Sequence, residues 1–263
     1  MRYGMPTLVE CEDLEHCARV ASQFSLDFIE INMSFPQYQP SRLSIDKAMH
    51  IAKKYGLFYT IHADEMLNPF DFNPIVRDAY WQVMKETIAF AKALSVPVIN
   101  MHLQKGVYVT LPNRVILLTD VYSNQYIEMV KAFIAMCEEE IGESNLVIAI
   151  ENIDSNVFTT SQLEAMPLFM NSSAFALTFD TGHDICLDGK DRHVFEKYSQ
   201  KLIHMHLHDC SADKHPHLAL GKGLLDVEGS IAKLSENGTC LVEVKTILGL
   251  KESVRFLKEK SLF

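Results

Sequence analysis

Five histidines, His204, His206, His208, His215 and His217, crowd into the string HMHLHDCSADKHPH, with Asp209 and Asp213 as the only acids among them. Imidazole both ligates divalent metals and moves protons near neutral pH. A solvated His-rich loop is the competing reading on composition alone. Against it stands the recurrence of acids and imidazoles at matching places along the chain. Read as short strands, seven successive apolar runs finish in such a side chain. These ends carry Glu30 and Asn32, then His62, then Asn100 and His102, then Glu151, then Asp180 with His183 just beyond. Next come His204, His206 and His208 on one face, and last Glu243 with Lys245. Alternate strand residues face the same side, so each set can point to one centre.

Several carboxylates meeting at one point repel one another by several kcal/mol at low effective dielectric. A cation removes that cost. A Glu, an Asp, a His and a Glu, one from each of the last four runs, form an oxygen-rich set with one imidazole. Such a set suits Mn2+, Mg2+ or Co2+, with Zn2+ also possible.

The elements that must position these residues alternate. Strand-like runs at Tyr3–Val9, Asp27–Met33, Leu57–His62, Val98–His102, Leu146–Glu151, Phe175–Asp180, Leu202–His208 and Thr239–Val244 are each followed by a segment of helical periodicity. Asn73-Pro74 reads as an N-cap before a first-turn proline, and Gly56 and Gly142 stand where helices should stop. Eight strand–helix units predict a (β/α)8 TIM barrel, an α/β fold, in a single domain over residues 1–263. Helix-to-strand connections are short, whereas strand-to-helix connections such as Ala63–Phe72, Leu103–Tyr122 and Asp209–Asp226 are long and polar. That asymmetry fits an active-site face at the C-terminal ends of the strands. A doubly wound sheet would carry a glycine-rich turn after its first strand. Here the first strand runs into Met5-Pro6-Thr7 and Glu10-Cys11-Glu12 instead.

Composition narrows the partners. The chain of 263 residues has a formal charge of −10, which argues against nucleic acid but not against a small anion held by local cations. No apolar stretch approaches a membrane span, and the N-terminus lacks a signal-peptide pattern. The six cysteines include no C-x-x-C pair and read as reduced thiols of a cytoplasmic protein, Cys210 among them as a bystander. Scattered apolar residues on the outer helix faces leave room for a homodimer.

The chain resembles the xylose isomerase-like barrels, a superfamily of sugar and sugar-phosphate isomerases and epimerases that includes zinc-dependent apurinic endonucleases. FIEIN, NMHLQKG, AIEN, DTGH, HMHLHD, HLALGKG and LVEVKT carry the resemblance, in order, across nearly the whole chain. It implies a metal at Glu151, Asp180, His206 and Glu243, with Glu151 and Glu243 as the acid/base pair and His183 on the substrate hydroxyls. The multi-zinc branch implies further ligands at His62, His102, His183 and His217. Where that branch has an Asp before the loop histidine, this chain has His215, and Asp213 is the nearest acid that could replace it. The Arg found in that loop of ketose-specific isomerases has no counterpart here.

Three functions follow. The first is a metal-dependent isomerase or epimerase of a small sugar, sugar phosphate or polyol, working by Glu-mediated proton transfer through a metal-stabilised enediolate. Lys105, Lys222 and Lys245, with Glu30 and Asn32, are the candidate phosphate or substrate contacts. The second is a multi-zinc hydrolase acting on a phosphoester. The third is a non-catalytic sugar- or metal-binding barrel, because fold alone does not decide function.

Overall fold

The computed structural model describes residues 1–263. Eight parallel strands close into a barrel: β1 (Arg2–Pro6), β2 (Phe28–Asn32), β3 (Phe58–His62), β4 (Val98–His102), β7 (Val147–Glu151), β8 (Phe175–Asp180), β9 (Leu202–Leu207) and β10 (Thr239–Val242). Their neighbour order is β1-β10-β9-β8-β7-β4-β3-β2. The helices between them are α1 (Leu14–Gln23), α2 (Ile45–Tyr55), α3 (Pro74–Ala93), α5 (Ser123–Ile141) and α6 (Thr160–Asn171). They continue with α7 (Thr181–Cys186), α8 (Arg192–Lys197), α9 (Val227–Ile231) and α10 (Ile247–Glu259). The fold is the (β/α)8 barrel that the alternation predicts. No helix is long and apolar enough to cross a membrane.

Local chemistry sets the helix ends. Asn73 caps α3 by accepting from the Ile75 N–H, with Pro74 in the first turn. Gly56 closes α2 at φ 67°, a left-handed angle that costs glycine nothing. The main core lies between strands and helices, where Ile29, Ile31, Ile61, Ile99, Ile148, Ile150, Leu177 and Met205 are buried.

Inside the barrel the opposite parity of each strand stacks in layers. Phe28, near the floor, stacks on Phe58 with ring centroids 5.1 Å apart. It fits because its β1 neighbour is Gly4, where a Cβ would lie 2.4 Å from the Phe28 ring. The apolar filling of Val98, Ala149 and Ala176 is small. Higher up, the registers set Glu30 beside Thr60, His102 beside Glu151 and Asp180 beside His206. The upper barrel is therefore polar, and the long loops sit over it.

Three elements depart from the sequence reading. The stretch expected as a long loop from Leu103 to Tyr122 holds an antiparallel hairpin, β5 (Tyr108–Leu111) and β6 (Arg114–Leu117), and a helical turn, α4 (Leu118–Val121). The turn residues Pro112-Asn113 between two alternating apolar runs are the signal for it. Helix α7 begins at once after β8, because Asp180 itself is its N-cap and accepts from the His183 N–H. Strand β1 ends at Pro6, three residues before the expected Val9.

Candidate active site

Glu151 ends β7, Asp180 ends β8, His206 lies on β9, and Glu243 stands just past β10. One ligand atom from each comes within 4.8 Å of every other. The group is buried, with exposures of 1% for Glu151, 0% for Asp180 and His206, and 7% for Glu243. His206 Nδ1 is 3.0 Å from Glu151 Oε1, 3.2 Å from Glu243 Oε2 and 3.8 Å from Asp180 Oδ2. Nevertheless, both ring nitrogens of His206 and Glu243 Oε2 are buried without an aligned hydrogen bond. Such orphaned atoms are rare in native proteins. A divalent cation among the four would satisfy His206 Nδ1 and Glu243 Oε2, so these residues fit a metal by donor type and by need.

The supporting partners are equally specific. His206 Nε2 faces Glu30 Oε1 at 3.1 Å without hydrogen-bond alignment, while Nδ1 faces the three carboxylates. Glu30 Oε2 also meets His204 Nε2 at 3.0 Å and Thr60 Oγ1 at 3.0 Å. Asn152 brackets Asp180: its Nδ2 donates to the Asp180 carbonyl, and its Oδ1 accepts from the Asp180 N–H. Asn100 Nδ2 donates to Glu151 Oε2.

Electrostatics favour ionised acids. Burial pushes the Glu151 carboxyl up, but His206 and His102 outweigh it and hold it well below the usual range. Burial likewise opposes Lys245 and His206 at Glu243, which is also held well below it. Lys245 Nζ lies 2.7 Å from Glu243 Oε1. In turn His206 is raised well above its ordinary value: burial pulls it down, and Glu151, Glu30 and Glu243 pull it up more strongly. A proton on His206 is thus what the metal-free site would hold in place of a cation.

A second set lies next to the first. His102 Nε2 is 3.0 Å and His62 Nε2 3.5 Å from Glu151 Oε2. His62 Nδ1 is fixed 2.7 Å from the Ala63 carbonyl, so its Nε2 faces inward. His183 and His217 line the same cavity. The mouth has two adjoining lobes of about 280 and about 330 Å3. Glu65, His62, His217, Glu243 and Lys245 line both. Gln104, Asp154 and Ser155 close one side, and Thr7, Asn32 and Phe35 the other.

Not every predicted residue reaches the mouth. Glu30 is only 1% exposed, at the floor of the second lobe, where its carboxylate meets two imidazoles and a hydroxyl and so supports His206. Asn32 donates to Glu65 Oε1 at 2.9 Å on the rim. Lys222 points outward, 3.8 Å from Glu252, and Lys105 lies over the Tyr108 ring; neither lines the cavity. His215 is exposed and pairs with Asp213 at 3.1 Å, outside the cluster, so Asp213 does not substitute for the missing acid. Cys210 Sγ lies 3.4 Å from Cys186 Sγ, and neither belongs to the ligand set. Strand parity points Asn100 and His208 at the centre without assigning either a task, and Asn152, next to Glu151 on the opposite parity, enters the sequence pattern only as the last residue of AIEN.

A closed barrel with four buried potential metal ligands gathered at the C-terminal ends of its strands defines a (β/α)8 protein with a candidate metal centre. Residues 18–260 match the xylose isomerase-like TIM barrel family, and the chain belongs to it. An uncharacterised Methanocaldococcus jannaschii protein is 24% identical over 220 residues, covering 81% of this chain and 82% of its own length. Among solved structures, a D-tagatose 3-epimerase-like protein superposes with a TM-score of 0.80 at 24% identity, covering 100% of this chain and 98% of its own. The 3-keto-D-glucoside 4-epimerase YcjR of E. coli gives 0.77 at 13%, covering 100% of both chains. IolI, solved with a zinc atom, gives 0.74 at 16%, covering 100% of this chain and 97% of its own. At these identities the likeness shows a shared fold.

Proposed function

We propose that the protein is a metal-dependent isomerase or epimerase of a small, uncharged sugar or polyol. The observation that carries this reading is the meeting of two buried glutamates, Glu151 and Glu243, at His206 Nδ1, which has no aligned hydrogen bond. A divalent metal at Glu151, Asp180, His206 and Glu243 would supply Lewis-acid polarisation of a carbonyl and its adjacent hydroxyl, acidifying the neighbouring C–H. Glu151 and Glu243 reach the centre from β7 and from the end of β10, with β8 and β9 between them. One takes the proton from carbon, and the other returns it to the opposite face or to the adjacent carbon. Lys245 holds Glu243 through Oε1, leaving Oε2 toward the centre. His183 holds its Nδ1 3.1 Å from the Asn152 carbonyl, which frees Nε2 for a substrate hydroxyl. Lys245 is the one Lys or Arg lining the cavity, against Glu30, Glu65, Glu151, Asp154 and Glu243. That balance favours a neutral sugar over a sugar phosphate.

The test is deuterium uptake from heavy water into a panel of ketoses, each offered free and phosphorylated, by metal-loaded protein. Uptake at carbon next to the carbonyl of a free ketose is expected. No uptake across the panel, with metal verified as bound, would overturn the assignment. The trio His62, His102 and Glu151 favours a second reading, a multi-zinc phosphoester hydrolase. Elemental analysis separates them: near one ion per chain is expected here, and two or three support the hydrolase.

A further inference from the structure

His208 stands outside the four-ligand set, yet it is fully buried and its ring is engaged on every side. The backbone N–H of His217 donates to His208 Nδ1 at 2.8 Å. The Asp209 carbonyl lies farther from Nδ1, at 3.3 Å, so the shorter bond sets the tautomer: Nδ1 presents its lone pair and the proton of the neutral ring sits on Nε2. Nε2 lies 2.9 Å from Asp180 Oδ1 and 3.0 Å from Oδ2, which accept that proton as a hydrogen bond. The ring also packs against Gly182, where a Cβ would lie 1.9 Å from His208 Cε1 and 2.1 Å from Nδ1. His217 makes its donation from φ 60°, a left-handed angle that costs a side-chain-bearing residue on the order of 1–2 kcal/mol. Surrounding contacts must hold such a residue in place.

We propose that His208 is a positioning residue that aims the Asp180 carboxylate at the metal centre and ties the loop bearing His217 to that same carboxylate. This rests on the reading of Asp180 as a ligand. The rival arrangement is a separate metal on His183, His208 and His217, whose ring nitrogens come within 4.8 Å of one another. Two of those rings are prepared for it. His183 Nδ1 faces the Asn152 carbonyl and His217 Nδ1 the Glu243 carbonyl, leaving each Nε2 free. His208 is not, because both of its nitrogens are already committed. An ion there would have to break the bond to Asp180.

The experiment measures Mn2+ affinity and ions per chain, by equilibrium dialysis with elemental analysis, on wild type, H208A, H208Q, G182A, the G182A/H208A double variant and D180N. Metal-free melting curves accompany each. H208A is expected to weaken binding about 10–100-fold, as for other residues that orient a ligand, with the number of ions unchanged. H208Q, which keeps an N–H donor, should recover part of the loss. G182A should weaken binding through the displaced ring, and should add little once the ring is gone, a non-additivity that a general loss of stability would not give. Should H208A fail to fold, H208Q and G182A carry the test. Loss of one whole ion per chain in H208A, or unchanged affinity in H208A and G182A while D180N binds poorly, overturns the proposal. Unchanged affinity in D180N instead overturns the ligand assignment beneath it.

Discussion

Raising the pH of the metal-free protein strips the protons that stand in for a cation, and the loss should be visible as instability. Burial pulls the His62 pKa down, but Glu151 and Glu30 outweigh it and raise it from 6.5 to about 9. His206 is raised in the same direction. A histidine raised in the folded state contributes its full stabilisation below the unfolded value of 6.5 and loses it as pH climbs through the folded one. The window is therefore 6.5 to about 9. For His62 alone a shift of that size corresponds to about 3 kcal/mol as an upper figure. In a chain of this length that is roughly 6–12 °C in melting temperature. Bound metal takes over the charge, so the metal-loaded protein should show little of this decline. Metal affinity should rise with pH over the same window, because bound protons must leave first. Thermal unfolding across the window, in chelator and in excess Zn2+, reads both curves. A metal-free curve that is flat or rises would refute the reasoning, as would a parallel decline with metal present.

Other outcomes follow from single residues. Glu243→Gln should lower deuterium uptake by about 10²–10⁴-fold, the usual worth of a positioned acid or base, while sugar binding measured by calorimetry persists. Equal loss of sugar binding with the bound metal unchanged would mean that Glu243 serves recognition instead of proton transfer. Gly4→Ala should cost about 1–3 kcal/mol in urea unfolding, because its Cβ would meet the Phe28 ring. A neutral result would show that the barrel floor yields.

The barrel and the direction of its mouth are legible in the sequence, because period-2 alternation and one-sided loop lengths are local signals. Depth is not. His204, His206 and His208 share one parity, and only register with neighbouring strands assigns them different work. His204 pairs with Thr178 and Thr239 low in the barrel, whereas His206 pairs with Asp180 at the ligand level. Glu30 shares its parity with Asn32 but lies one layer deeper, at the floor of the cavity, where it also supports His206. Lys222 and His215 sit in a loop whose path is set by Asp209, which accepts from the N–H groups of Cys210, Gly223 and Leu225. That folding-back directs both side chains outward, and no spacing rule along the chain encodes it. His217, in the same loop, instead turns inward through its left-handed backbone.

The most direct measurement of the metal centre is anomalous diffraction from crystals soaked in Zn2+. A peak about 2.0–2.2 Å from Glu151, Asp180 and Glu243 carboxylate oxygens and from His206 Nδ1 is the expected result. Density confined to surface histidines such as His215, with that centre holding no ion, would contradict it.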